Sequence, residues 1–411
     1  MTRFELKKIF SRRQNQIALL LVFAFVVFNC WSAVHGVSFV DEAGKTHNGP
    51  VAAAGLRAAQ KEWAGPLDTE KLMRAVALNR EIAQSPEYFS LDETQQAIVF
   101  ARGQGIFEIR HLLNYAFADT FRGYNYFAAD ELTPENAPDF YPNRVRLLKG
   151  YLSGDAADTF SEQEKAYLIE QYEALPTPIL YDYTKGWTQI LTYAQSVAMF
   201  TMLLACYLAA GIFSGEFSCK ADAVFFSAVY GRDRAVAAKL KAGIWTVTGL
   251  YFSAMLLFSG VVLALLGADG WACPVQLQHW FSFYNLTMGQ AFLLVLFGGY
   301  IGCLFMALLT MLISAKTRSA VTAVLTPLAL IFLSSFVAAL VGTSNMPLLD
   351  KLLALLPDQL LQLGQVIRYF HLYTLGSHVV GALPILVVVY TALTLVCAPA
   401  IYVCYRRQQA G

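Results

Sequence analysis

Long uncharged apolar runs alternate with polar stretches along this chain, and the runs predict helices that cross a membrane. A bilayer core about 30 Å thick takes roughly 20 apolar residues at a helical rise of 1.5 Å per residue. Six runs qualify: Ile17–Val34 (IALLLVFAFVVFNCWSAV), Gln189–Phe213, Ile244–Gly267, Leu286–Ser314, Ala320–Val341 and Val379–Val403. The uncharged stretch before the fourth run contains Pro274 and His279, which make a poor lipid-facing helix, so that span is placed from Leu286. Pro327 and Pro384 are positioned to kink the fifth and sixth spans.

Between the first two runs lies a polar region, Gly36 to Trp187, long enough to bury a core of its own. Its pattern is mostly helical. Ile98, Val99, Ile106, Ile109, Leu112, Leu113 and Phe117 recur at three- and four-residue spacing, which predicts a helix over Glu93–Phe121. Ser161 with Glu164 three residues on is a capping box, and Tyr167, Leu168 and Tyr172 follow as the apolar face of a second helix. Pro134, Pro138 and Pro142 interrupt the middle, and Pro176 and Pro178 end the region. Turn residues at Gly44 and Asn48-Gly49 fit short strands between Val37 and Leu56. The expected fold is therefore an all-α polytopic membrane protein with six transmembrane helices and a mostly helical extracytoplasmic domain.

Composition agrees with that pattern. Of 411 residues, 56% are hydrophobic and 14% charged, against about 25% charged in an ordinary soluble domain. This excludes a soluble enzyme, and a net charge of +1 gives no bulk basic character that would argue for nucleic acid as a partner. The charges are nonetheless sorted. The amino-terminal tail (1–16), the loop after the second run, Lys316, Arg318, Arg406 and Arg407 together carry 14 Lys and Arg against Glu5, Glu216, Asp222 and Asp233. The 36–187 region holds 22 Asp and Glu against 14 Lys and Arg. Positive charges close to span ends stay cytoplasmic, so both termini are expected inside. The first run is longer than a signal-peptide core and no A-x-A site follows it, so it reads as a span.

The motifs of soluble chemistry are weak. Gly44-Lys45-Thr46 resembles the end of a phosphate-binding loop, but Phe39 stands where the first glycine belongs. Glu108 and His111 have the E-x-x-H spacing of a di-iron helix without the second pair that such a site needs. No H-E-x-x-H or C-x-x-C occurs, and the seven cysteines all lie in or beside apolar stretches, leaving the 36–187 region without a disulfide framework. No catalytic, cofactor or metal residues are therefore assigned.

The segment Ser214–Lys241 is more than a connector. Glu216 leaves the second span, Val224, Phe225 and Phe226 form an apolar patch, Ser227 follows, Gly231 breaks the helix, and Arg232 and Lys239 return the chain to the third span. Such a pattern fits an interfacial helix whose aromatic residues dock in a partner's groove. In topology and in the order Glu216, Ser227, Gly231-Arg232, Lys239 it resembles the coupling helix of type 2 ABC transporter permeases. The glycine usual a few residues after the glutamate is absent, and Lys220 stands near that place. Leu352-Leu353-Ala354-Leu355-Leu356-Pro357 followed by Leu360-Leu361 is similar to the short half-buried helices these permeases carry before their sixth span. Tyr141-Pro142-Asn143-Arg144 and Tyr181–Trp187 look like a bacterial subgroup with a large outer domain.

The resemblance covers 189–408, a five-helix membrane domain with a coupling loop (214–241) and an outer loop (343–378). It implies an exporting permease subunit in a bacterial plasma membrane, with the coupling residues just named. It also implies that ATP is hydrolysed by a separate ABC ATPase dimer, and that a second copy or a homologous permease completes the path. Two other classes remain: a secondary transporter or channel, and a membrane-anchored receptor for an outside ligand. The first would place charged residues at mid-depth in a span, and the six runs contain none.

Overall fold

The computed structural model describes residues 1–221, 224, 227, 231, 233–341 and 346–407. The chain is mostly helical. Its helices are α1 (Thr2–Ser11), α2 (Arg13–His35), α3 (Pro50–Lys61), α4 (Thr69–Ala83), α5 (Glu93–Gly103), α6 (Phe107–Phe117), α7 (Phe140–Ser153), α8 (Glu162–Glu173), α9 (Lys185–Ser218), α10 (Arg234–Leu266), α11 (Met288–Thr317), α12 (Ala320–Val341), α13 (Pro347–Leu353), α14 (Leu363–Val366) and α15 (Ala382–Arg406). Three antiparallel strand pairs accompany them: β1 (Ser38–Val40) with β2 (Thr46–Asn48), β3 (Gly65–Pro66) with β4 (Leu180–Tyr181), and β5 (Leu372–Leu375) with β6 (His378–Gly381).

Among the described residues, five helices, α2, α9, α10, α11 and α15, are long and apolar enough to cross a membrane, which fits a membrane-embedded multi-pass protein. Helix α9 packs along α10 and α11, α2 lies against both α9 and α10, and α15 lies against α11. Close approach requires small residues: a Cβ on Gly186 would sit 2.1 Å from the Gly267 carbonyl, so the start of α9 meets the end of α10 backbone to backbone. The helices run past the expected spans because hydrogen bonding continues through polar residues at the interface; α9 carries Glu216 and α10 carries Arg234 and Lys239.

The structure departs from the sequence reading in four places. The helix expected over Glu93–Phe121 is two, broken between Gly103 and Phe107. There Gln104 bonds both backbone groups of Val40 (2.8 and 2.6 Å), and a Cβ on Gly105 would lie 2.7 Å from the Ala59 carbonyl. The last long helix begins at Ala382 rather than Val379, because β6 and its two-residue turn with β5 take the preceding residues. Pro384 lies in the first turn of α15, where its missing N–H costs nothing, and Pro399 is the interior proline. Nor does the 36–187 region close its core alone: Trp280 packs into one of its two clusters, and Phe283 and Leu372 into the other.

Candidate functional site

Two places concentrate charge and shape, one at each end of the helices. At the end formed by α1 and the last turns of α9, α11 and α15, charged side chains are buried. Lys239, with no exposed surface, places Nζ 2.7 Å from Oε1 of Glu216 and 3.5 Å from Oε2 of Glu5. It also donates to the Ile212 carbonyl at 2.9 Å. Lys8 reaches the same Glu216 oxygen at 2.8 Å. Glu5 and Lys8 are three apart on α1 and so share a face. The result is a balanced quartet of two carboxylates and two ammonium groups. On the same turns of α9, the Tyr405 ring lies 4.8 Å from Phe213 and Arg318 sits over the Phe217 ring at 4.8 Å. Asp233 accepts from Tyr402 and Arg406, each at 3.0 Å.

Of the residues the sequence singled out for coupling, Glu216 and Lys239 come together, although 23 positions apart. Glu216 is only 7% exposed, so it joins helix ends rather than presenting a charge outward. Val224 is 74% exposed, Ser227 is exposed with its hydroxyl donating to the Val224 carbonyl at 3.1 Å, and Gly231 is buried. Phe225, Phe226 and Arg232 lie outside the described residues, as does most of the expected interfacial helix. In the sequence, Glu5 and Lys8 bear only on topology; their three-residue spacing on a short amphipathic helix is the signal that they share a face.

At the opposite end, the 36–187 region is fastened to the loops between the long helices. Arg144 is 3% exposed and donates to three carbonyls, Trp280 (3.3 Å), Tyr172 (3.1 Å) and Ser282 (2.9 Å), with its guanidinium 3.8 Å from the Tyr172 ring centre. Tyr141 donates to the Leu67 carbonyl at 2.6 Å and accepts from the Ile179 N–H at 3.1 Å, holding β3 beside β4. The Tyr141–Arg144 motif is therefore an anchor. The capping box at Ser161 forms, and Lys351 bonds Glu164 at 2.7 Å, tying α8 to α13. Burial pushes the Glu164 carboxyl up, but Lys351 and Ser161 outweigh it and its pKa lies below the ordinary value. Glu108 pairs with Lys185, and His111 bonds the Tyr124 hydroxyl, so the E-x-x-H pair is spent on structure.

Between these anchors opens a cavity of about 530 Å³, bounded by the ends of α6 and α7, residues 278–281, α13 and residues 368–371. Aromatic rings form most of its wall. His371 bonds Asp350 at 3.0 Å, and His279 is half-buried with its pKa pushed down to about 4 by desolvation and by Arg368. Among the described residues, no group of three His, Cys, Asp or Glu is arranged to hold a metal. No family model matches the chain, and no curated protein is significantly similar to it in sequence.

Proposed function

We propose that this chain is the membrane-spanning permease subunit of an ATP-binding-cassette transporter, an exporter with six spans and both termini in the cytoplasm of a bacterium. The span that joins the five long helices to make six is α12, the fifth in chain order, whose described stretch Ala320–Leu333 is apolar. The observation that carries the reading is the buried Glu216–Lys239 pair at the two ends of the 214–241 segment. A push on that segment would be transmitted into α9 and α10 together, because the ion pair and the Lys239 bond to Ile212 leave little room for either end to move alone. The exposed Val224 and Ser227 lie on the same segment, where a partner ATPase dimer would press. Among the described residues, charged side chains in the five long helices lie within about two turns of the helix ends. That favours a driven permease over a carrier with its own ion site at mid-depth.

The test is purification of the tagged chain from its native membranes, with the eluate assayed for a copurifying ABC ATPase and vanadate-sensitive ATP hydrolysis. Stable copurification of such an ATPase is expected. A chain that purifies alone would overturn the reading, as would a reporter fused after Tyr230 that faces the exterior.

A further inference from the structure

The cavity at the anchored end has the volume of a small-molecule site. Its wall is built from aromatic rings contributed by separate segments: Phe121 lies 5.0 Å from Phe281 and 6.3 Å from Phe370, ring centre to ring centre. Stacked and tilted rings of this kind present flat apolar faces to a planar guest.

The charges at its edge are unevenly matched. Lys351 is held by Glu164, and Asp350 accepts from His371. Arg368 is exposed, and its side chain's hydrogen bond among the described residues is to the neutral amide of Gln365, at 2.9 Å. His279 lies close enough to Arg368 for the guanidinium to disfavour a second positive charge there. Tyr373, whose hydroxyl donates to the Lys351 carbonyl, feels the Asp350 charge. The cavity lining thus includes a guanidinium and a neutral imidazole, while its carboxylate is already paired with His371.

We propose that this cavity binds a small organic anion, its planar ring packed against the cluster of Phe121, Phe281 and Phe370 and its carboxylate or phosphate on Arg368, with His279 in the same lining. A guanidinium matches either oxyanion with two parallel N–H donors. The proposal stands independently of the transport reading, since binding at this end requires no ATPase.

The experiment uses the full chain in nanodiscs of neutral lipid, titrated by ligand-observed saturation-transfer NMR. The probes are 2-naphthoate, 2-naphthyl phosphate, 2-naphthalenemethanol and 2-naphthylmethylamine, with empty nanodiscs subtracted. Saturable binding of at least one acid is expected, about tenfold tighter than the alcohol or the amine; which acid binds tighter identifies the head group. Arg368→Gln should abolish the advantage of the acid, Arg368→Lys should keep part of it, and Phe281→Leu should weaken acid and alcohol alike. Because Arg368 is exposed, an unchanged melting temperature of Arg368→Gln separates loss of binding from loss of fold. Equal or tighter binding of the amine, an acid preference that survives Arg368→Gln, or no saturable binding of any probe overturns the proposal.

Discussion

Lys239 carries a full charge with none of its surface exposed, and that is tolerable only because carboxylates and a carbonyl surround it. Removing one partner of such a pair leaves the other charged and buried, at a cost of about 3–5 kcal/mol. Lys239→Ala should therefore lower the melting temperature of the detergent-solubilised protein sharply, and Glu216→Leu combined with Lys239→Met should recover part of the loss. A double variant less stable than Lys239→Ala alone would show that the pair is not the main contact. Charge reversal at Glu216 places a third cation beside Lys8 and Lys239, so it tests folding before it tests coupling. At the opposite end, His279 gives a pH dependence of known sign. Its pKa is near 4 when folded and about 6.5 when unfolded, so the unfolded chain takes the proton first as pH falls. Its contribution is complete above the unfolded value and is lost downward through the folded one, amounting to about 2 kcal/mol between pH 7 and pH 5. His279→Gln should flatten the fall of melting temperature over that interval. Glu216 and Lys239 were legible as charges abutting apolar runs; Arg368 and His279 were not, because their proximity exists only after distant loops meet.

Helices pack here at separations set by individual glycines. A methyl group on Gly186 would collide with the carbonyl of Gly267, a backbone atom that cannot swing aside. One on Gly243 would meet the terminal methyl of Met311 at 2.3 Å, the far end of a flexible side chain. Gly186→Ala is thus expected to destabilise by about 2 kcal/mol or more and Gly243→Ala by less than 1, read as shifts in thermal unfolding. Similar shifts for the two would mean that the α9–α10 contact is softer than its geometry implies. The existence of the five long helices was legible because twenty apolar residues in a row have few other fates. Their ends were not, since hydropathy falls at the first charge while the backbone ladder continues. The β5–β6 pair was missed for a related reason: Val379 and Val380 are apolar and adjoin a long apolar run, so periodicity assigned them to the helix that follows.

Across the whole molecule, the buried guanidinium of Arg144 decides how the polar region sits on the bundle. Arg144→Met would leave the carbonyls of Trp280, Tyr172 and Ser282 without that donor, at a cost of about 3 kcal/mol. Hydrogen exchange should then rise over residues 275–287 and in α8, while the 208–218 part of α9 stays protected. Unchanged exchange around Trp280 would refute the anchoring role. The sequence marked Tyr141–Arg144 as distinctive, but a motif that bonds to carbonyls 28 to 138 positions away reveals its purpose only in three dimensions. A side chain that grips the loop joining two long helices makes that loop and the 36–187 region one mechanical piece, and Lys351 adds a further loop to it. The bundle is splinted along this rim. Any rocking of its helices would pivot there, and the largest travel would fall at the far ends, where the described residues meet through ion pairs and ring contacts.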